Sequence, residues 1–155
     1  MKNIKEKIEA LGFTFPEVAR PLAAYIPATR AGDMIFVSGQ LPSVKGDISA
    51  YTGIGPAALS PEQAREGAIC LLNNIAAAMS LLEGDETLRL VQMQGFVQSS
   101  PTFKEQPAIL NGASELAVQI LGDAGKHART AVGVAALPKN AAVEISCTFQ
   151  AVKKQ

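Results

Sequence analysis

Apolar residues recur along this chain with two different periods, and each period marks an element. Ile4, Ile8 and Leu11 repeat at three- to four-residue spacing ahead of Gly12, which predicts a short amphipathic helix over 4–11 closed by the glycine. Residues 13–27 carry three prolines and no period, so they read as an irregular arm wrapping the domain. Residues 25–30 predict an edge strand, Ala31-Gly32-Asp33 a turn, and 34–39 a β-branched and aromatic strand, together a first hairpin. Pro42, Gly46, Gly53, Gly55 and Pro56 make 40–59 a long loop, and loops of that length are often functional. Ser60 as N-cap, Pro61 at the first helical position and Gln63 at the capping-box position then start a helix. Its apolar stripe is Ala64, Ala68, Leu71, Leu72, Ile75, Met79 and Leu82, with Gly84 as the stop. Over 88–98 the period changes to two: Val91, Met93 and Val97 alternate with Gln92, Gln94 and Gln98. A second amphipathic helix follows over 107–121, with the stripe Ile109, Leu110, Ala113, Leu116, Ala117, Ile120 and Leu121 and a stop at Gly122.

The last stretch reads as a second hairpin. An apolar run over 131–137 meets Pro138-Lys139-Asn140, and a second run over 142–152 alternates cleanly, with Val143, Ile145, Cys147, Phe149 and Ala151 on one face. Glu144, Ser146, Thr148 and Gln150 take the other face. Arg129 enters the first run and Glu144 lies on the polar face of the second, so the two either meet across the ladder or sit at its opposite ends. The order β-β-α-β-α-β-β, with helices linking strands, predicts an α+β fold with both helices on one face of a single sheet. The polar face, with Glu144 and the glutamines, is then left uncovered, and copies of the chain are one way to cover it.

Composition narrows the function classes. A chain of 155 residues is read as one domain, 1–155, with residues 1–24 as helix and arm. Lys+Arg 14 against Asp+Glu 14 leaves no net charge and no basic stripe, which argues against a nucleic-acid partner. No apolar run reaches the roughly 18–20 residues of a membrane span, and the charged start Met1-Lys2-Asn3-Ile4-Lys5 has no apolar core of a signal peptide. Cys70 and Cys147 fall on apolar faces without CxxC spacing, as expected of reduced thiols in a cytoplasmic protein. Zero net charge with 48% hydrophobic residues favours self-association.

Candidate chemistry is sparse. His127 is the only histidine, so nitrogen and sulfur ligands are too few for a transition-metal site, and no metal is expected. A serine such as Ser38 would have to pair with it for nucleophilic catalysis, yet no nucleophile elbow is present; His127 reads as a loop or cap residue after a helix. Gly122-Asp123-Ala124-Gly125-Lys126 has the wrong glycine spacing for a phosphate loop and follows a helix, not a strand. Arg129 offers a planar bidentate clamp for a carboxylate, although by itself it reads as a surface arginine, and Glu144 by itself as a rim carboxylate.

Several local motifs group these residues. Val37-Ser38-Gly39-Gln40-Leu41-Pro42, Tyr25 ahead of it, Asn111, Arg129-Thr130 before an apolar strand, Leu137-Pro138 and Val143-Glu144-Ile145 resemble, in order and spacing, the signature of the RidA family, also called YjgF. The resemblance covers the chain from about Tyr25 to Val152. It departs in a longer N-terminal arm, in Ala131 where the family often has Cys, in one residue inserted between Asn111 and Arg129, and in Ala23-Ala24 in place of Gly-Pro. The resemblance implies a chorismate-mutase-like α+β fold assembled as a homotrimeric barrel with clefts between subunits. It implies hydrolysis of reactive 2-imino or enamine acids to 2-keto acids and ammonia, without cofactor, since a protonated imine is already electrophilic. Arg129 would bind the substrate carboxylate and Glu144 would activate water. Tyr25, Ser38, Gly39 and Asn111 would orient the ligand. The alternatives are a non-catalytic carboxylate-binding or regulatory trimer and, further off, the endoribonuclease activity with which some family members are labelled.

Overall fold

The computed structural model describes residues 3–18, 20, 24–48, 52–53 and 61–155, the first four residues of that last stretch as backbone only. Helix α1 (Ile4–Ala10) is nucleated by a capping box: the Asn3 side chain accepts from the Glu6 amide, and Glu6 Oε2 accepts from the Asn3 amide, each at 2.9 Å. Strands β1 (Ala28–Ala31) and β2 (Met34–Val37) turn at Gly32, whose φ of +64° suits a residue without Cβ. Helix α2 (Pro61–Met79) opens on the proline, and α3 (Gln106–Leu121) stops at Gly122. The N-cap expected at Ser60 lies outside the described residues. Strands β3 (Glu86–Gln98), β4 (Ala128–Val134) and β5 (Val143–Lys153) complete the order, with short 3-10 turns at Gly122–Gly125 and Pro138–Asn140.

The five strands form one mixed sheet in the order β1-β2-β5-β3-β4. β3 pairs antiparallel with β5 and parallel with β4, the α3 crossover delivering β4 alongside it. The expected second hairpin is therefore wrong in its pairing: β4 and β5 do not touch across a ladder, because β3 inserts between them. The side chain of Gln98, at the end of β3, staples the wide connection. Its Oε1 accepts from the Leu137 amide at 2.8 Å and its Nε2 donates to Asn140 Oδ1 at 2.7 Å. Lys139 and Asn140 take positive φ to make that connection.

Both long helices cover one face of the sheet. Leu88, Leu90, Met93 and Val97 of β3 and Val143, Ile145, Cys147 and Phe149 of β5 pack against Leu71 and Ile75 of α2 and the predicted stripe of α3. A bulge between Leu90 and Gln92 shifts the alternation, so Val91 is the irregular residue and not, as expected, a core position. Gln98 departs from the expected polar row as well, being buried, whereas Gln92 and Gln94 stand exposed on the uncovered face. Phe36 and Val132 are exposed on that same face. α1 lies against α3 with Ile8 fully buried, and Phe13 and Phe15 continue the arm onto the core.

One ion pair ties the sheet edge to the start of β3. Arg30 donates from Nη1 and Nη2 to Glu86 at 2.7 and 2.9 Å, and from Nη1 to the Leu81 carbonyl at 3.0 Å. The guanidinium and the Glu83 amide hold the Glu86 carboxyl down at about 2. Its contribution is complete above the ordinary value of 4.5 and is lost as pH falls from there through about 2. Urea unfolding of the wild type should weaken over that window relative to Glu86→Gln, in which this share of the acid sensitivity is absent.

Candidate active site

Two groups of the predicted residues assemble, on different elements. The first lies where α3 faces the edge strand β4. Asn111 and Ser114, three residues apart, share a face of α3. Arg129 Nη1 donates to Asn111 Oδ1 at 2.9 Å and to Ser114 Oγ at 3.1 Å. His127, two residues before Arg129, places Nε2 3.0 Å from Ser114 Oγ and Nδ1 2.6 Å from the Gly125 carbonyl. A carbonyl only accepts, so the Nδ1 proton sits there and Nε2 in the neutral ring receives the Ser114 hydroxyl hydrogen. Ser114 then turns a lone pair to Arg129. Gly125 permits this approach, since a Cβ there would collide with the Ala117 carbonyl of α3. Nε and Nη2 of Arg129 have no partner among the described residues.

His127 is, as expected, a residue that follows a helix and caps it, through Nδ1 to the Gly125 carbonyl, and the serine it meets is Ser114, not Ser38. The pairing is serine, imidazole, carbonyl. Ser114 is still poorly placed as a nucleophile: it sits mid-helix, where backbone amides are committed to the helix and supply no oxyanion hole. Its oxygen also has Met93 Sδ 4.0 Å away, besides His127 and Arg129.

The second group lies on the uncovered face. Phe36 pairs with Thr148 and Gln40 with Ile145, so the strand gains a residue on β5 between them. That bulge carries Gly39 across the Glu144 carboxylate so closely that a Cβ at 39 would strike Glu144 Oε1. Burial alone raises the Glu144 carboxyl above its ordinary value, and no hydrogen-bond donor or cation reaches it among the described residues. The Gly39 amide is likewise without a partner among the described residues. The Ser38 hydroxyl donates to the Ile26 carbonyl at 2.6 Å and its amide to the Pro27 carbonyl at 2.9 Å. It fastens the segment bearing Tyr25, which is exposed.

The bulge leaves a gap beside β5, and Asn74 of α2 fills it. Fully buried, it accepts from the Cys147 amide at 2.9 Å and donates to the carbonyls of Ile145 (3.0 Å) and Cys70 (2.8 Å). Asn74→Ala strands the Cys147 amide in the core and opens a void. We expect a loss of about 2–4 kcal/mol in urea unfolding.

The two groups do not meet within one chain. Arg129 aligns with Met93 and Glu144 with Phe96, three residues apart on β3, so their side chains leave the sheet on opposite faces. Cavities of about 470 Å³ (Met34, Arg89, His127, Gln150) and about 480 Å³ (Ser114, Glu115, Val118, Gln119) adjoin these regions, but neither Arg129 nor Glu144 lines them. Among the described residues no three His, Cys, Asp or Glu side chains converge as for a metal ion, and no helix is long and apolar enough to cross a membrane.

Sequence reasoning missed Ser114, Gly125 and Asn74, and did not link His127 to Arg129. The i, i+3 spacing of Asn111 and Ser114 and the i, i+2 spacing of His127 and Arg129 were visible signals. Their convergence was not, because it needs α3 and β4 in contact.

Known proteins share this arrangement of elements. The sequence model described as Endoribonuclease L-PSP matches residues 17–151. "Protein TCP17" of Trypanosoma cruzi is 38% identical over 154 residues, spanning 96% of this chain and 94% of its own. A crystal structure of a protein of unknown function from Agrobacterium tumefaciens superposes with a TM-score of 0.81 at 38% identity, covering 95% of this chain and 92% of the other. That of a candidate endoribonuclease from Shewanella oneidensis gives 0.83 at 26% identity, covering 96% and 99%.

Proposed function

The chain belongs to the Endoribonuclease L-PSP family, also called YjgF or RidA, and from that premise we propose that it hydrolyses 2-imino acids to 2-keto acids and ammonia, in clefts between the copies of a homotrimer. One observation carries the reading: a guanidinium with a free edge and a half-buried carboxylate without a cation stand on opposite faces of one sheet. A small substrate cannot touch both in the same chain. It can touch Arg129 of one copy and Glu144 of the next once the uncovered face is packed against a neighbour.

In that cleft the Nε/Nη2 edge of Arg129 holds the substrate carboxylate bidentately and fixes the imine carbon. Glu144 takes a proton from water as the oxygen bonds to that carbon and the C=N pair moves onto nitrogen. The proton passes to nitrogen, the carbon–nitrogen bond breaks to release ammonia, and the remaining hydroxyl proton goes to Glu144 as the keto group forms. The Gly39 amide, without a partner among the described residues, would donate to an oxygen of the ligand, and Tyr25 lies on the segment that Ser38 fastens beside it. A carboxyl raised by burial is a better-matched base near neutral pH than an ordinary glutamate.

The rivals are carboxylate binding without turnover, and the nuclease activity named for the Shewanella relative. RNA binding needs cationic surface, and this chain has no net charge. The test is turnover of 2-iminobutyrate generated in situ, with light scattering on the same sample. Hydrolysis above the solvent rate by a particle of three chains is expected. An active monomer contradicts the shared cleft, and binding of the keto acid without any turnover contradicts catalysis.

A further inference from the structure

The carboxylate clamp is held by two side chains of α3 and not by Asn111 alone. An arginine on an edge strand has rotamer entropy to lose before it can present a fixed edge to a ligand. A single acceptor leaves its plane free to swing. Two acceptors on the same nitrogen, Asn111 Oδ1 at 2.9 Å and Ser114 Oγ at 3.1 Å, fix it. A serine hydroxyl, however, rotates, and its lone pair stays turned to the guanidinium only where another group accepts its own hydrogen. His127 removes that freedom by taking the hydrogen on Nε2, and the Gly125 carbonyl removes the freedom of His127 by taking the hydrogen on Nδ1. The carbonyl itself is pinned, because residue 125 packs against α3 with no room for a Cβ.

Resting on the carboxylate-binding role given to Arg129 above, we propose that Ser114 and His127 are positioning residues acting as one relay, which holds the Arg129 guanidinium with its Nε/Nη2 edge turned to the ligand. Neither touches substrate. The relay runs from α3 through Gly125, His127 and Ser114 to Arg129, and the acceptor for the Ser114 hydrogen at the place of His127 Nε2 is the link whose loss frees the clamp.

Two substitutions of His127 separate this from a packing role. In His127→Asn the shorter amide keeps the Gly125 contact and cannot reach Ser114. In His127→Gln the amide oxygen reaches the place of Nε2. The experiment compares wild type, both variants, Ser114→Ala and the Ser114→Ala/His127→Asn double variant in three readouts: side-chain 15N relaxation of Arg129 Nε without ligand, calorimetric binding of 2-oxobutanoate, and turnover of 2-iminobutyrate. We expect the Arg129 Nε order parameter to fall in Ser114→Ala and His127→Asn. Kd and KM should rise about three- to tenfold in each, as for a clamp loosened by the loss of one hydrogen bond, with kcat within about twofold of wild type. The double variant should be no worse than either single variant, and His127→Gln should return close to wild type. Unchanged Arg129 order and Kd in Ser114→Ala would overturn the relay, as would additive losses or a glutamine no better than asparagine. The relaxation readout keeps this distinct from the proposed function: a wild type that neither binds nor turns over rejects the imino-acid reading, while the order parameters still decide whether Ser114 and His127 hold Arg129.

Discussion

Glu144→Gln is expected to reduce kcat for imino-acid hydrolysis about 10²- to 10⁴-fold, the usual contribution of a positioned general base, while the Kd for the keto acid changes little. The amide keeps the volume under Gly39 and cannot accept a proton from water. The same substitution should not weaken the fold. Burial raises the Glu144 carboxyl, so the charged form is the one the folded state disfavours. The sign follows: the contribution to stability is greatest below the ordinary value of 4.5 and falls as pH rises through the raised value. At neutral pH the glutamine variant should therefore unfold at the same urea concentration as wild type or a higher one. Activity lost while stability is kept is the pattern of a functional residue maintained at the expense of the fold. A rate unchanged by this substitution would remove Glu144 from the chemistry. For the wild type, the acid limb of the kcat/KM profile should lie above 4.5, because the base works only when ionised.

Arg129→Ala is expected to weaken 2-oxobutanoate binding about 10²- to 10³-fold, as for the loss of a bidentate charge-assisted pair, and to reduce kcat/KM at least as much. Arg129→Lys should recover little of this, since an ammonium has no planar fork and cannot hold Asn111 and Ser114 with one nitrogen while presenting two others to a carboxylate. Calorimetry checks both variants. Equal affinity in Arg129→Ala would show that the carboxylate is held elsewhere. Because both residues act in one cleft, Arg129→Ala mixed with Glu144→Ala offers a further measurement on the same proteins. If the cleft joins Arg129 of one copy to Glu144 of another, mixed trimers regain intact clefts and some activity. If both came from one chain, mixing would restore none.

Periodicity carried much of this structure. The apolar stripe predicted for α3 is the buried face found, residue by residue from Ile109 to Ile120, because a helix reports its buried side within a few residues of sequence. The faces of β5 follow for the same reason: a period of two assigns Glu144 outward as soon as Ile145 and Cys147 are assigned inward. The spacing of Tyr25, Ser38, Asn111, Arg129 and Glu144 was likewise legible as a family pattern, without any knowledge of which of them touch.

Tertiary structure decided the rest, and each case involves a partner far away along the chain. Two apolar runs around Pro138 look like a hairpin locally, but β3 offers both of its edges and takes β4 on one side and β5 on the other. Val91 looked inward by alternation until the bulge, set by pairing with β5, put it out of register. The same kind of bulge in residues 37–39 brought Gly39 onto Glu144 and called for Asn74 to close the gap, a residue that reads in sequence as one more polar position on a helix. Ser114 and His127 became partners only because α3 packs beside β4. What the sequence determined by itself was which side of each element is apolar, since that depends on neighbours three or four residues away. Which elements lie side by side, and hence that Arg129 and Glu144 leave one sheet in opposite directions, depends on pairing between distant strands, and no local period records it.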